Sequence, residues 1–317
     1  MNRFRNHRTP GVIDVHQHLW PPGLVDVLRA RTRPPCLRGW TLALEDEPDH
    51  VVDPRDHDAD ARAALALEDG LELALVSLSS ALGIETLPAA EAAELLEAYH
   101  EGALALPNPF GAWAAAWLGA PDPADLHRRF DEGFVGLQLP ATALLDGAGY
   151  AHAASLLEVL EERGRPLFIH PGAPGPQPAA MPAWWPALVP YVQQMHAAWF
   201  AFRVHGRPAH PELRVCFALL AGLGPLHGER LAARGGGRSS VDPRVFLDVS
   251  SYGTRAIDAT VRVLGVDALV NGSDRPYAAP VEVDLGDAVL SAVGCSNPRR
   301  LLDPEEVIDV VDVAARA

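Results

Sequence analysis

The sequence predicts an α/β fold, a (β/α)8 TIM barrel, and three observations lead to it. Eight short runs rich in β-branched and other apolar residues recur along the 317-residue chain. Amphipathic helical patterns lie between several of these runs. Eight strand–helix units over about 300 residues match this fold, whose usual size is about 250 residues plus insertions. A doubly wound parallel sheet is the alternative that the same pattern allows.

The predicted strands alternate with helices in chain order. They cover residues 11–15, 73–78, 111–118, 133–139, 166–169, 213–218, 245–249 and 268–271. The clearest helix, over residues 153–163, places alanine and leucine on one face and glutamate on the other. Gly164 follows this helix and provides a C-terminal stop.

Two predicted loops are longer than an ordinary strand-to-helix connection. Residues 19–54 are rich in proline, and we expect a small β-hairpin insertion over about residues 36–54. Residues 171–190 are also rich in proline. No repeat or linker divides the chain, so a single domain over residues 1–317 is expected. In a barrel, these two loops would cover the mouth.

The charge composition restricts the expected partners and chemistry. The chain has 26 basic and 41 acidic residues, a formal net charge of −15, which repels nucleic acids and anionic membranes. We therefore expect a small-molecule substrate, and a homodimer is the assembly to consider. All the basic residues are arginine. Without lysine there is no Schiff base to pyridoxal phosphate, no lysine-dependent phosphate loop and no carbamylated lysine bridging two metals.

The cysteines and the first ten residues indicate the cellular compartment in which the protein is expected. Cys36, Cys216 and Cys295 are far apart and form no CxxC, so neither a disulfide framework nor a thiolate zinc site is expected. A reducing cytoplasm fits this pattern. No apolar segment follows the arginines of the first ten residues, so we expect a frayed end and no secretory signal.

The strongest chemical signal is a pair of histidines at the end of the first predicted strand. His16 and His18 are two residues apart, so in a strand their side chains project to the same side. They can offer two imidazole nitrogens to one metal ion. The alternative is two ordinary polar residues leaving a strand.

Two further residues favour the metal site. His170 follows the fifth predicted strand, and Asp274 follows the eighth. In a barrel all these strand ends converge on one mouth, so three imidazoles and one carboxylate would meet there.

On these residues the sequence resembles the amidohydrolase superfamily, in the branch that includes aminocarboxymuconate-semialdehyde decarboxylase and γ-resorcylate decarboxylase. The resemblance extends from His16 to Pro276 and includes a His-Pro-Gly and a Gly-Ser-Asp-x-Pro motif. It implies that His16, His18, His170 and Asp274 hold one divalent ion. Because no lysine stands on strand 4 to bridge a second metal, a mononuclear site with Zn²⁺ or Mn²⁺ is expected.

One position departs from the pattern of that branch. Its members usually carry a histidine after strand 6 in a His-x-Gly-Gly motif, and Leu219 stands at this position here. His227, eight residues further on, could replace it, although a histidine at a surface helix start is the simpler interpretation.

Other candidates have weaker signals. Asp14 could orient a metal-bound histidine, or it could belong to the interior of the barrel. Asp248, at the end of strand 7, could face the mouth or play a capping role. Arg275 could clamp a substrate carboxylate or form a surface ion pair. Three tryptophans of the long loops could line a pocket for an aromatic substrate, or could pack those loops: Trp20, Trp184 and Trp185.

Three functional hypotheses follow. The first is a metal-dependent hydrolase of an amide, lactone or cyclic C–N bond in an aromatic or heterocyclic metabolite, with Asp274 taking a proton from metal-activated water. The second is a non-oxidative decarboxylase of an aromatic or unsaturated acid, with Asp274 delivering a proton to carbon. The absence of the histidine at Leu219 argues slightly more against this hypothesis than against the first. The third is an inactive scaffold subunit that retains the metal, which Leu219 favours and the intact ligands oppose.

Overall fold

The computed structural model describes residues 11–45, 47–178, 180–237, 241–278, 281 and 283–302. The first ten residues, for which we predict a frayed end, lie outside this range. Within it, the α/β prediction is confirmed, because helices alternate with strands that pair in parallel.

The parallel strands of the described chain each overlap a predicted strand. All but the strand at residues 110–112 are buried along most of their length, as expected where helices cover a parallel sheet. Their bounds are Val12–Gln17 (β1), Leu71–Val76 (β5), Phe110–Ala112 (β6), Leu137–Pro140 (β7), Leu167–His170 (β8), Val215–Phe217 (β9), Val245–Asp248 (β10) and Leu269–Val270 (β11).

These strands form two sheets that hydrogen bonds link at both edges. The sheets have the orders β1-β5-β6 and β11-β10-β9-β8-β7. On one side, Ala114 N–H donates to Gly136 O at 2.8 Å, next to β6 and β7. On the other side, Val15 N–H donates to Asn271 O at 2.9 Å, joining β1 to the end of β11. The carboxyl ends of β1 and β11 are therefore neighbours.

The segment after β1 carries a small antiparallel sheet where the sequence predicts a hairpin. Its strands are Cys36–Arg38 (β2), Thr41–Ala43 (β3) and His50–Val51 (β4). Cys36 pairs with Ala43 across the first turn, and Val52 N–H donates to Trp40 O at 2.8 Å. The insertion is thus held by its own backbone bonds.

Helices fill most connections between the parallel strands. The helix predicted from residue 153 begins earlier, at Gly147, because the Asp146 carboxylate accepts a hydrogen bond from Gly149 N–H and caps it. In the described ranges no helix is long and apolar enough to cross a membrane. The helices are Pro22–Ala30 (α1), Ala59–Glu68 (α2), Ala89–Leu104 (α3), Pro123–Glu132 (α4), Gly147–Glu162 (α5), Trp185–Leu188 (α6), Pro190–Ala201 (α7), Arg207–Ala209 (α8), Gly228–Ala233 (α9), Thr254–Leu264 (α10), Asp287–Ser291 (α11) and Asn297–Leu302 (α12).

The core contains large aromatic residues from several strands. Trp113 and Phe168 stack with ring centroids 5.2 Å apart, and both are fully buried. The Trp113 indole N–H donates to Val15 O at 2.9 Å, so its polar atom is also satisfied. Phe168 lies against the His16 ring at 5.0 Å, which places this aromatic layer beside the predicted metal ligands. All three cysteines are buried.

Candidate metal centre

The four predicted ligands meet at the carboxyl ends of three strands. His16 belongs to β1 and His18 follows it; His170 is the last residue of β8, and Asp274 lies four residues beyond β11. One donor atom from each residue falls within 4.8 Å of the others. The histidines are buried, whereas the Asp274 side chain keeps 17% of its surface accessible. The cluster is therefore enclosed but open on the carboxylate side.

Each imidazole is oriented by an acceptor at its Nδ1 atom. His18 Nδ1 lies 3.1 Å from Ser77 O, and His170 Nδ1 lies 2.8 Å from Pro171 O. A carbonyl oxygen only accepts, so both Nδ1 atoms carry the hydrogen and both Nε2 atoms have free lone pairs. His16 Nδ1 lies 2.7 Å from the Asp248 carboxylate, which fixes the same tautomer.

The Nε2 atoms converge in a way that fits a shared cation. His16 Nε2 and His18 Nε2 are 3.1 Å apart, and Asp274 Oδ1 is 3.2 Å from His18 Nε2. The carboxylates of Asp248 and Asp274 favour a proton on His16, which its Nε2 can donate to His18 Nε2. A divalent ion would replace this proton between the two nitrogens, and three imidazoles with one carboxylate suit Zn²⁺ or Mn²⁺.

The electrostatics of the cluster agree with this donor set. Burial lowers the pKa of His18 and of His170, so both rings stay neutral and can bind a metal. Burial also opposes protonation of His16, but the carboxylates of Asp248 and Asp274 outweigh it and raise its pKa to about 9. Burial acts to raise the pKa of Asp274, yet the neighbouring histidines hold it below its usual value. The site thus concentrates negative charge where a cation would sit.

Asp248 is the residue that positions His16, a role for which we also considered Asp14. Its Oδ2 accepts from His16 Nδ1, and its Oδ1 accepts from the backbone N–H groups of Leu219 and Ser250 at 3.1 and 2.9 Å. Asp14 instead accepts from backbone N–H groups of His16 and Ser273. It touches no imidazole nitrogen and holds the β1 and β11 ends together.

The segment after β9, which contains Leu219, has an unusual backbone. Residues 219–223 all have positive φ, between 48° and 58°, and one of them is glycine. Leu219 N–H donates to Asp248, so this left-handed turn is connected through Asp248 to His16. His227 is exposed and its ring packs on His196 at 5.0 Å, outside the cluster.

Two of the predicted substrate residues have other partners. Trp20 is 2% exposed, stacks on His57 at 4.3 Å and donates its indole N–H to Ser79 Oγ, so it packs the base of the loop. Arg275 forms a 2.6 Å ion pair with Asp69, which follows the last residue of α2, so its guanidinium already has a carboxylate partner. These contacts agree with the packing and ion-pair alternatives, and a role of either residue in substrate binding stays a prediction.

The remaining tryptophans lie on the long loop after β8. Trp184 is 57% exposed, whereas Trp185 lines a cleft between this loop and the insertion after β1. The Trp185 indole N–H donates to Gln177 Oε1 at 3.2 Å, within the same loop. Trp185 therefore lies at a cavity wall, whereas Trp184 is largely open to solvent.

Two tyrosines beside the cluster were not predicted. The Tyr277 ring lies 5.3 Å from the His18 ring and keeps 44% of its surface accessible. Tyr191, on α7, donates its hydroxyl to Glu47 Oε1 at 3.1 Å, which links the loop after β8 to the insertion after β1. Tyr277 stands three residues after Asp274, and this proximity is the one sequence signal that could have indicated it.

Comparisons with known proteins identify the fold. No family model matches the sequence, and no curated protein matches it. Among solved structures, the chain is similar to the IDCase of Metarhizium anisopliae, with a TM-score of 0.73 and 18% identity over 93% of this chain and 98% of that chain. It is similar to 5-carboxyvanillate decarboxylase from Sphingomonas paucimobilis, with a TM-score of 0.69 and 18% identity over 92% and 98% of the two chains.

A third solved structure adds a metal to the comparison. It is the 5-carboxyvanillate decarboxylase of Novosphingobium aromaticivorans, complexed with manganese and 4-hydroxy-3-methoxy-5-nitrobenzoic acid. The TM-score is 0.68, with 16% identity over 94% of this chain and 97% of that chain. The chain thus has the fold of amidohydrolase-family decarboxylases, as the motifs predict.

Proposed function

We propose that this chain is a metal-dependent, non-oxidative decarboxylase of an aromatic or unsaturated acid, built as a single (β/α)8 barrel. The observation that carries the proposal is the cluster of three Nε2 atoms and one carboxylate at the strand ends of a fold that known decarboxylases share. The sequence alone placed hydrolysis first; the structural neighbours favour the carboxy-lyase.

The donor set indicates what a bound metal ion would contribute to the reaction. A divalent cation held by His16, His18, His170 and Asp274 would bind the substrate carboxylate and draw electron density from it. Mn²⁺ is the ion of a structural neighbour, and Zn²⁺ suits the same donors. The protein contributes the orientation of the three imidazoles and the exclusion of water from the cluster.

Asp274 is the group placed to move the proton. Its carboxyl gives a proton to the ring carbon that bears the carboxylate; the C–C bond then breaks, carbon dioxide leaves, and the bonding electron pair restores the unsaturated product. Asp274 would take that proton from a hydroxyl group of the bound substrate, and a hydroxylated aromatic acid supplies such a group.

Product analysis tests the proposal against its alternatives. The protein loaded with Mn²⁺ or Zn²⁺ is incubated with a panel of ortho-hydroxybenzoates and, separately, with aromatic amides and lactones. We expect carbon dioxide and the matching phenol from the acids. Hydrolysis of the amides or lactones without carbon dioxide release would support the hydrolase instead, and no turnover at full metal occupancy would support the scaffold.

A further inference from the structure

Strand β1 is irregular at the point from which it directs its histidines. Three residue steps from Asp14 to Gln17 match only two steps along β5, so β1 has one extra residue there, a β-bulge. His16 lies in this bulge, and its ring stands at 84° to the His18 ring with the centroids 5.0 Å apart. In a regular strand, side chains two residues apart point the same way. A bulge re-aims the side chains that it carries, which fits two imidazoles turned toward each other.

Two buried side chains close the bulge. Asp14 Oδ1 accepts from the backbone N–H of His16 at 3.1 Å, and Asp14 Oδ2 accepts from the Gln17 side-chain amide at 2.8 Å. Oδ1 also accepts from Ser273 N–H at 3.0 Å, one residue before the predicted ligand Asp274. Asp14 and Gln17 are 2% and 1% exposed, so bulk water does not replace these bonds.

Arg62, on α2, holds the other end of the Gln17 amide. Its Nη2 donates to Gln17 Oε1 at 2.6 Å, and its Nη1 donates to His18 O at 3.2 Å. The same Nη1 donates to Asp56 O at 2.7 Å. Arg62 is itself buried, and all three of these acceptors are uncharged oxygens. It therefore ties α2 to the bulge and to the backbone of a predicted ligand.

The polarity of these groups admits one arrangement. Arg62 only donates and the Asp14 carboxylate only accepts, so the Gln17 amide has to present its oxygen to Arg62 and its nitrogen to Asp14. A reversed amide would face a donor with its nitrogen and a carboxylate with its oxygen, and two buried hydrogen bonds would be lost. We call Asp14, Gln17 and Arg62 the bulge clamp.

We propose that the bulge clamp positions the metal ligands: it holds the bulge that directs His16 toward His18, and it fixes the backbone beside Asp274. The hydrogen bonds of the clamp described above go to backbone groups and to one another, so its members are positioning residues. Asp248 sets the tautomer of His16, whereas the clamp sets the direction of its ring. This inference rests on the metal site of the proposed function and not on the reaction catalysed there.

Complementary substitutions test the clamp through metal binding. Asp14→Asn keeps an oxygen for the two backbone N–H groups but places an amide nitrogen opposite the Gln17 nitrogen. Gln17→Glu places a carboxylate oxygen opposite Asp14. Each single variant should bind Co²⁺ and Zn²⁺ about 10- to 100-fold more weakly, as for other groups that orient metal ligands, measured by competition with a chelating dye.

The double variant restores the pattern of donors and acceptors. With Asp14→Asn and Gln17→Glu together, the asparagine nitrogen can donate to the glutamate, whose other oxygen accepts from Arg62. The double variant should therefore recover most of the affinity that each single variant loses. Arg62→Met should also weaken metal binding, because the Gln17 amide is then free to reverse.

The absorption spectrum of bound Co²⁺ distinguishes positioning from stability. Its visible bands report the geometry of the donors, whereas unfolding midpoints of the metal-free proteins report stability. We expect altered bands in both single variants and the unmodified spectrum in the double variant. Gln193→Glu, on the exposed side of α7, adds the same charge as Gln17→Glu and should change neither the affinity nor the spectrum.

The outcomes separate the clamp from the proposed function. Single variants that keep the unmodified affinity and spectrum, or a double variant that recovers neither, overturn the clamp alone. If a single variant does not fold, a folded double variant with the unmodified spectrum still supports the clamp, and an unfolded double variant overturns it. A restored double variant that releases no carbon dioxide from the hydroxybenzoate panel overturns the decarboxylase alone. An unmodified protein that binds neither ion overturns both.

Discussion

Each imidazole of the predicted metal centre has its tautomer fixed by one acceptor at Nδ1. For His18 and His170 the acceptor is a backbone carbonyl, which a side-chain substitution leaves in place. For His16 the acceptor is the Asp248 carboxylate, which mutation can change. Asp248 is therefore the most informative position outside the ligands themselves.

Asp248→Asn should weaken metal binding while preserving the fold. The asparagine oxygen can still accept from Leu219 and Ser250, but its amide group would face His16 Nδ1 with a hydrogen. His16 would then carry its own hydrogen on Nε2 and lose the lone pair that binds metal. We expect a 10- to 100-fold loss of metal affinity, measured by competition with a chelating dye. Asp146→Asn, which keeps an N-cap, is the control, and an unchanged affinity in Asp248→Asn would contradict this role.

Asp274→Asn should separate proton transfer from metal binding. The asparagine keeps a neutral oxygen for the ion but has no proton to exchange. Turnover should fall by about 10²–10⁴, as for the loss of a general acid–base group, while part of the metal is retained. Turnover close to that of the unmodified protein would identify another proton donor, and Tyr277, beside His18, would be the first to test.

Glu85 gives the stability a pH dependence that does not involve the metal. It is 1% exposed, and burial raises the pKa of its carboxyl from 4.5 to about 7 although Ser80 donates to it. Between these values the folded chain binds more protons than the unfolded chain, so stability falls as pH rises, by roughly 3 kcal/mol in total. Glutamine does not titrate, so the stability of Glu85→Gln relative to that of the unmodified protein should increase as pH rises from 5 to 8, measured by denaturant unfolding. The same pH profile in both proteins would be evidence against this, and Glu158→Gln is the exposed control.

At the scale of elements, the left-handed turn over residues 219–223 is the least ordinary part of the chain. Its non-glycine residues each cost about 1–2 kcal/mol in this conformation. Burial of Leu220 and Ala221 and the Leu219–Asp248 bond oppose this cost. The turn also packs on α7, because a side chain at Gly222 would lie 2.4 Å from Val192 O.

Gly222→Ala should therefore destabilise the protein more than an ordinary substitution of a left-handed glycine. Gly164 is the matched control, with φ of +59° against +57° but nothing within 4 Å of its added methyl. We expect about 1 kcal/mol from Gly164→Ala and a further 1–3 kcal/mol from Gly222→Ala, read from unfolding midpoints. Equal losses in the two variants would show that the contact with α7 is unimportant.

The strands could be predicted from the sequence better than the loops. Buried parallel strands are short apolar runs, and this local pattern located each of them. The start of α5 was missed because its cap, Asp146, precedes a glycine-rich stretch with no apolar periodicity. The role of Trp20 stays open in the sequence, between lining a pocket and packing the loop, because sequence shows that it lies on a loop but not that it contacts His57 and Ser79.

At the scale of the whole molecule, the predicted metal centre lies where the two parallel sheets meet. His16 belongs to the three-stranded sheet and His18 follows its first strand, whereas His170 ends a strand of the five-stranded sheet and Asp274 follows another. The ligands could be predicted because parallel strands direct their carboxyl ends to one edge. Tyr191 and Glu47 could not, because their contact joins two loops that no repeating pattern relates.

Removal of the metal should lower the thermal stability of the whole chain. An ion that binds only the folded state stabilises it by about 4 kcal/mol at a concentration 1,000 times its dissociation constant. We expect a chelator to lower Tm by several degrees, measured by scanning calorimetry, and re-addition of Zn²⁺ or Mn²⁺ to restore it. His18→Ala should show a low Tm that neither treatment changes. A chelator-sensitive Tm in that variant would mean that the ion binds elsewhere.

The burial of the three cysteines turns them into built-in reporters of local opening. Cys36 lies in β2 of the insertion, Cys216 in β9 beside the metal centre, and Cys295 in the helical segment Ala292–Ser296. A thiol-reactive dye can reach each one only when its own element opens, so labelling rates followed by mass spectrometry record three separate opening equilibria. Because the chain has no lysine, no side-chain amine competes with the three thiols for the dye. The opening kinetics of loop, strand and helix can therefore be measured without an engineered label.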